Sequence, residues 1–207
     1  MKTLIEIIKE GISEKQSFIE SVDFKDEIAE SMVSFSNTNG GRIIIGVKNN
    51  GKVIGFNPIT DIDIIKLISI ENCFPPITYS GRIILDNYKR IFEIEIFEDK
   101  SKFYKTLNTS MKKNAFKRIG IKNILMTKLE EDVHLFSIKK VIKPEYFDDN
   151  EVMLMDFISK NGGCSLTKIH KSFSISITEI DFTLTRLIYW GIISMKFNGE
   201  CYGFYCN

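Results

Sequence analysis

Phe35-Ser36-Asn37-Thr38-Asn39-Gly40-Gly41-Arg42-Ile43-Ile44-Ile45-Gly46-Val47 changes character halfway along. Leading into it, Asp26 to Asn37 reads as a helix, with Ile28, Met32 and Phe35 on one face and acids in the first turn, where the helix dipole favours them. Arg42–Val47 is a strand-sized run of β-branched residues. Between them sit Asn37, Thr38, Gly40 and Gly41: glycine takes the left-handed conformation a helix stop needs, and Asn37 and Thr38 can bond the freed helix-end carbonyls. A phosphate-cradling loop follows a strand, opens a helix and carries Lys-Ser or Lys-Thr after its glycines. Here the order is reversed. The segment is a structural turn and not an ATP site.

Working outward, the first dozen residues (Leu4, Ile5, Ile7, Ile8, Ile12) form an amphipathic helix, and Ser17–Glu20 is strand-like. Asn49-Asn50-Gly51 is the strongest hairpin signal and predicts pairing of Arg42–Val47 with Lys52–Phe56. A helix from Asp61 to Asn72 stops before Pro75-Pro76. Ile77–Leu85 and Arg90–Phe97 predict a second hairpin around Asp86-Asn87; Phe92, Ile94 and Ile96 alternate with Glu93 and Glu95, so one face is core and the other wet. Lys100–Met111 has loop character, Ala115–Gly120 is a short strand, and Leu125–Phe136 reads as a helix. Lys139–Asp149 looks like a link. Beyond it, helices at Glu151–Lys160, from Ser165, and from Thr178 to Trp190-Gly191 precede a hairpin of Ile192–Phe197 and Glu200–Tyr205 around Asn198-Gly199. Three helices and a two-stranded wing is the winged-helix order. The fold class is α+β, with a domain at 1–145 joined to a winged-helix-like domain at 150–207.

The central stretch, continued by Asn50-Gly51-Lys52-Val53-Ile54-Gly55, resembles the signature of the Schlafen-type AlbA-like domain, and Ala115-Phe116-Lys117-Arg118-Ile119-Gly120 resembles that family's second block. The likeness runs from about Glu14 to Glu131, with Pro75-Pro76-Ile77 where the family often has a proline segment. It implies an AlbA-like fold and, as in many bacterial members with a C-terminal winged helix, a role as a DNA-binding transcriptional regulator. Schlafen nucleases in the family hold a metal with three carboxylates, two from an E-x-x-x-x-E-x-K motif and one aspartate after the IGV strand. Clustered carboxylates of this kind bind divalent cations that activate water. Aligned without gaps, those positions fall on Glu14, Ile19 and Lys48, with Ser21 in place of the lysine. Only Glu14 survives; Glu20 is adjacent to a lost position, but on a strand it points to the opposite face.

The chain has 207 residues, enough apolar material for a core (43% hydrophobic) and a net charge of +1. That near-neutral total hides Lys100 to Lys122, which holds eight bases and no acid. Lys102, Phe103, Tyr104 and Lys105 interleave cations with aromatics, as a surface tracking phosphates and stacking bases would; the alternative is a solvated loop. Arg118 is favoured over Lys117, since neighbours on a strand face opposite ways. From Asn150 to Asn207 five bases meet five acids, and the presumptive recognition helix opens with Thr178, Glu179 and Asp181, so protein docking or dimerisation competes with DNA contact. His134 and His170 have no cysteine or acid at ligand spacing, Cys201 and Cys206 face opposite sides of a strand, and Trp190 plugs the small core.

The expectation is a non-catalytic nucleic-acid-binding protein, with Lys102, Lys105, Lys112, Lys113, Lys117 and Arg118 on phosphates and no cofactor or metal. A nuclease with rearranged ligands around Glu14 and Glu20, or a protein-interaction module, is the alternative. The cysteine spacing and lack of a membrane-length apolar run point to a reduced, cytoplasmic protein with no membrane partner. A homodimer stays open.

Overall fold

The computed structural model describes residues 3–86, 88–107, 112–197 and 201–207. They divide into two compact units, 1–126 and 127–207. Unit 1 runs α1 (Leu4–Glu10), β1 (Gln16–Ile19), α2 (Lys25–Ser36), β2 (Gly41–Ile45), α3 (Pro58–Leu67) with a π-helical turn Ile68–Asn72, β3 (Cys73–Phe74), β4 (Ser80–Asp86), β5 (Lys89–Ile96), β6 (Lys105–Leu107), β7 (Lys113–Asn114), β8 (Phe116–Ile119) and β9 (Lys122–Leu125).

Its main sheet has the order β1-β2-β5-β4. β1 lies parallel to β2, and β5 lies antiparallel to both β2 and β4. Alternation assigns the faces. Ile43, Ile45, Phe92, Ile94 and Ile96 join Ile28, Met32 and Phe35 of α2 in the larger core; Phe18, Ile44 and Ile91 meet Leu4 and Ile7 of α1 on the other side. α1 is started by Thr3, which exchanges capping hydrogen bonds with Glu6. α2 is buried almost all round, Ala29, Ser31, Val33 and Ser34 included, because it packs on β2 in front and on β6, β8 and the π-helical turn behind.

Several sequence expectations change. Lys52–Phe56 is not a strand: Val47 and Val53 make an isolated bridge, and Lys48 N–H donates to Lys52 O at 2.9 Å. The Asn49-Asn50-Gly51 turn forms, but β1 and β5 already occupy both edges of β2, so the returning segment has no edge to pair with. It lays Phe56 on Phe92 instead, ring centroids 5.0 Å apart. The second hairpin is present, with Asn87 of its turn outside the described residues. Its supposedly wet face is half closed: α1 covers Ile91, and Glu93 is buried between Arg42 and Arg82.

Lys100–Met111 is not all loop. β6 pairs with both β3 and β7 in a second, three-stranded sheet, while 108–111 lie outside the described residues. Leu125 ends a strand, β9, which forms a hairpin with β8. The helix expected from Leu125 starts at Lys128, where Thr127 and Glu130 form a capping box.

That helix, α4 (Lys128–Lys139), belongs to unit 2 with α5 (Asp149–Lys160), α6 (Leu166–Ser172), α7 (Ile177–Tyr189), β10 (Ile193–Phe197) and β11 (Tyr202–Cys206). The division therefore falls after Met126, not near 145–150. The reason is apolar: Leu129 enters the core of Leu154, Ile158, Ile169, Ile180, Leu184 and Leu187, and Phe136 meets Phe182 and Tyr189 edge-on. β10 and β11 pair antiparallel, their turn at 198–200 lying outside the described residues. Trp190 does not plug this core; it is partly buried, with its ring N–H donating to Val141 O at 3.4 Å.

Candidate nucleic-acid interface

The motif turn holds unit 1 together. The Asn37 side chain leaves its own helix end: Nδ2 donates to Tyr104 O (2.8 Å) and Phe116 O (3.1 Å), and Oδ1 accepts from Tyr104 N–H (2.9 Å). Thr38 does bond a helix carbonyl, Oγ1 donating to Ser34 O at 2.7 Å, and it also accepts from Arg118 N–H at 3.0 Å. Gly40 has φ +68°, and a Cβ there would sit 2.8 Å from Ile96 O; one on Gly41 would sit 2.6 Å from the Phe35 ring. The turn thus joins α2, β5, β6 and β8.

Arg118 belongs to this internal framework and not to the surface. It is 4% exposed. Its guanidinium donates to Ser13 O (2.7 Å), Gln16 O (3.1 Å) and Asn123 Oδ1 (2.9 Å), and lies 5.2 Å from the Phe35 ring centroid. Burial lowers its pKa. β8 alternates as the sequence suggested, but the side that receives Arg118 is the interior.

The other bases separate into two groups. Lys100 and Lys102 face the acids just before the basic run: Lys100 is 3.6 Å from Glu98 and Lys102 is 3.8 Å from Asp99. Asp99 also accepts from Ser101 Oγ and from Tyr104 Oη (2.7 Å), which hold its carboxyl down to about 2. Because this carboxyl sits below its ordinary value of 3.8, the fold favours its ionised form; that contribution is complete above about pH 4 and fades as pH falls towards 2. Urea midpoints followed across that window should decline less steeply for Asp99→Asn than for the parent chain. Identical acid limbs would contradict the assignment.

Lys105 and Lys113 lie on the second sheet, whose burial alternates cleanly. Cys73 and Thr106 point inward; Phe74, Lys105, Leu107 and Lys113 share the outward face. Lys112 is exposed just before β7, and Lys117 is partly buried on β8. Sequence reasoning missed Phe74, which stood as the residue before Pro75-Pro76. Its signal was the burial alternation of β3, and two residues are too few to show a period.

A family model described as Schlafen, AlbA_2 matches residues 10–127, more than half of the chain. This chain belongs to the Schlafen AlbA_2 family. The family match ends at the division between the two units. Among solved structures, the DIP2311 protein from Corynebacterium diphtheriae is 19% identical, over 57% of this chain and 23% of its own, with a TM-score of 0.42. The N-terminal domain of a Nitrosomonas europaea protein, described as related to the ATP-dependent DNA helicase RecG, is 13% identical over 72% of this chain and 99% of its own, with a TM-score of 0.42. No curated protein matches.

Of the three positions that the resemblance aligns with nuclease carboxylates, Glu14 keeps one and the other two carry different side chains. Ile19 is a core residue, 2% exposed. Lys48, where the resemblance places the aspartate, pairs with Glu20 at 2.9 Å, so an ammonium stands where a metal would need an anion. Glu14 is exposed. Glu20, Glu27 and Lys48 line one shallow cleft, where burial raises the pKa of Glu27. Among the described residues no three His, Cys, Asp or Glu side chains are disposed to hold a metal.

In unit 2 the cations are largely engaged. Arg186 contacts Asp148 (2.7 Å) and the buried Glu151 (3.1 Å), with the Phe182 and Trp190 rings over it. Lys160 pairs with Asp156, and Lys196 lies over Tyr205. His170, expected to lack an acid at ligand spacing, has Asp181 at 2.7 Å: the two lie on different helices, α6 and α7, eleven positions apart in sequence.

Proposed function

We propose that this protein binds nucleic acid without catalysis, through unit 1, using Lys105 and Lys113 on the outer side of the second sheet with Lys112 and Lys117 nearby. The observation that carries the reading is the alternation of that sheet, which turns Cys73 and Thr106 into the core and leaves the half-buried Lys105 and the exposed Lys113 on the opposite face. A fixed sheet presenting cations on one face is a phosphate-binding surface; a solvated loop would not hold them together. Membership of the Schlafen AlbA_2 family supports a nucleic-acid-related role. The buried Arg118 makes no phosphate contact.

Transcriptional regulation fits a binder carrying a second unit in winged-helix order. In that unit the paired cations and the exposed Val152, Ile177 and Phe182 favour docking to protein, a second copy of the chain included, over reading DNA. We expect it to act in the cytoplasm; among the described residues no helix is long and apolar enough to cross a membrane. Fluorescence anisotropy of the full chain with duplex DNA, single strands and structured RNA tests the reading, run over a range of salt with and without Mg²⁺ or Mn²⁺. Binding whose log K falls linearly with log salt, with the probe left intact, is the expected result. Probe cleavage abolished by Glu14→Ala or Glu20→Ala would replace this reading with the nuclease one.

A further inference from the structure

The outward face of the second sheet carries more than charge. Phe74 is 53% exposed, although it lies in a strand whose other residue, Cys73, is in the core. Cross-strand pairing puts Lys105 directly beside it. Lys113, one strand further on, reaches back so that its ammonium lies 3.6 Å from the Phe74 ring centroid. Lys105 in turn lies 5.4 Å from the Phe103 ring centroid. The Phe74 ring, Lys105 and Lys113 therefore share one side of three short strands, with the Phe103 ring near the Lys105 ammonium.

We propose that this face is a stacking platform for single-stranded nucleic acid, with Phe74 as the residue on which a base stacks and Lys105 and Lys113 as the flanking phosphate contacts. The proposal rests on the nucleic-acid reading above and deepens it by naming the form of the ligand. A lone exposed aromatic needs no explanation. This one is held by strand pairing on one side, the Lys113 ammonium lies over one of its faces so that a base would take the other, and it stands among charges opposite in sign to a phosphate backbone. A nucleotide offers a flat apolar face and an anion within a few ångströms of each other, and this face sets a ring beside two lysines. An apolar protein partner would have to desolvate both lysines to reach the ring, at a cost their pairing with phosphate avoids. Bases in a duplex are already stacked and turned inward, so Phe74 can act on unpaired bases alone, whereas the lysines serve either form.

The test uses the full chain, a labelled oligothymidylate and a duplex of the same length. Phe74→Ala removes the ring and no charge. It should weaken single-strand binding about fivefold to a hundredfold, the range for one base–aromatic stack, with duplex affinity and the salt slope unchanged. Phe74→Trp keeps a stacking surface and should bind the single strand at least as well as the parent, which separates lost stacking from lost folding. Lys113→Ala should instead flatten the salt slope for both probes. If the parent chain binds and Phe74→Ala binds the single strand equally well, or weakens both probes alike, the stacking proposal fails while the phosphate reading stands. The stacking proposal fails in the same way if Phe74→Trp is as weak as Phe74→Ala. If the parent chain binds neither probe, the phosphate reading itself fails and takes this one with it.

Discussion

Arg118→Ala should destabilise unit 1 by about 3–5 kcal/mol, the range for removing one partner from a buried charge-assisted network. Ser13 O, Gln16 O and Asn123 Oδ1 would each lose a donor, and the space beside Phe35 would empty. Arg118→Lys keeps the charge but has no planar fork for three diverging acceptors, so it should recover less than half of the loss. The two units give separate signals. Trp190 is the one tryptophan of the chain and lies in unit 2, so its fluorescence reports on unit 2 and not directly on unit 1. Hydrogen exchange at unit 1 amides should accelerate. A variant with native stability and reduced affinity for nucleic acid would make Arg118 the surface cation that its place in the motif suggests.

The second large effect is expected at Gly40. Alanine there must hold a positive φ and place its Cβ 2.8 Å from Ile96 O and 3.0 Å from Glu98 N, both backbone atoms that cannot swing aside. Left-handed strain and overpacking together should cost about 2–4 kcal/mol. Gly120 gives the matched control: its φ is +55° and no atom lies within 4 Å of where an alanine methyl would stand, so Gly120→Ala should cost about 1–2 kcal/mol from backbone strain alone. Equal losses at the two positions, measured by thermal or urea unfolding, would show that the contact with β5 carries no weight.

What could be read from the sequence was local. Helix α2, its glycine stop and β2 follow from the residues between Asp26 and Val47, because capping, dipole and β-branching act over a few positions. The alternation of Phe92, Ile94 and Ile96 likewise gave β5 its core face. Errors came where a distant segment decides. Asn49-Asn50-Gly51 makes the turn it promises, yet the strand after it is lost because β1 and β5 had taken both edges of β2. Glu93 belongs by period to the polar face, but Arg42 and Arg82 enclose it from neighbouring strands.

The site was legible to a similar degree. The basic run was visible, and so was its interleaving with aromatics. Its effective size was not: Glu98 and Asp99 stand just outside the window and face its first two lysines. Nor does the sequence tell Arg118 from Lys117 in function, since both the surface and the interior of a strand obey the same two-residue period. Phe74 comes to Lys105 and Lys113 through the pairing of β3 with β6 and β6 with β7, the first of which spans about thirty residues of chain.

The central claim is that a small set of lysines on and beside the second sheet holds a phosphate backbone. Its most direct test is the salt dependence of binding by Lys105→Ala/Lys112→Ala/Lys113→Ala, measured by anisotropy on the full chain beside the parent. Each lost phosphate contact should flatten the log K against log salt slope by about 0.7 on a single strand and 0.9 on a duplex, so the triple variant should differ by about 2 to 3. A parent chain that binds with a steep slope, and a variant whose slope is the same, would place the contacts elsewhere and contradict the account.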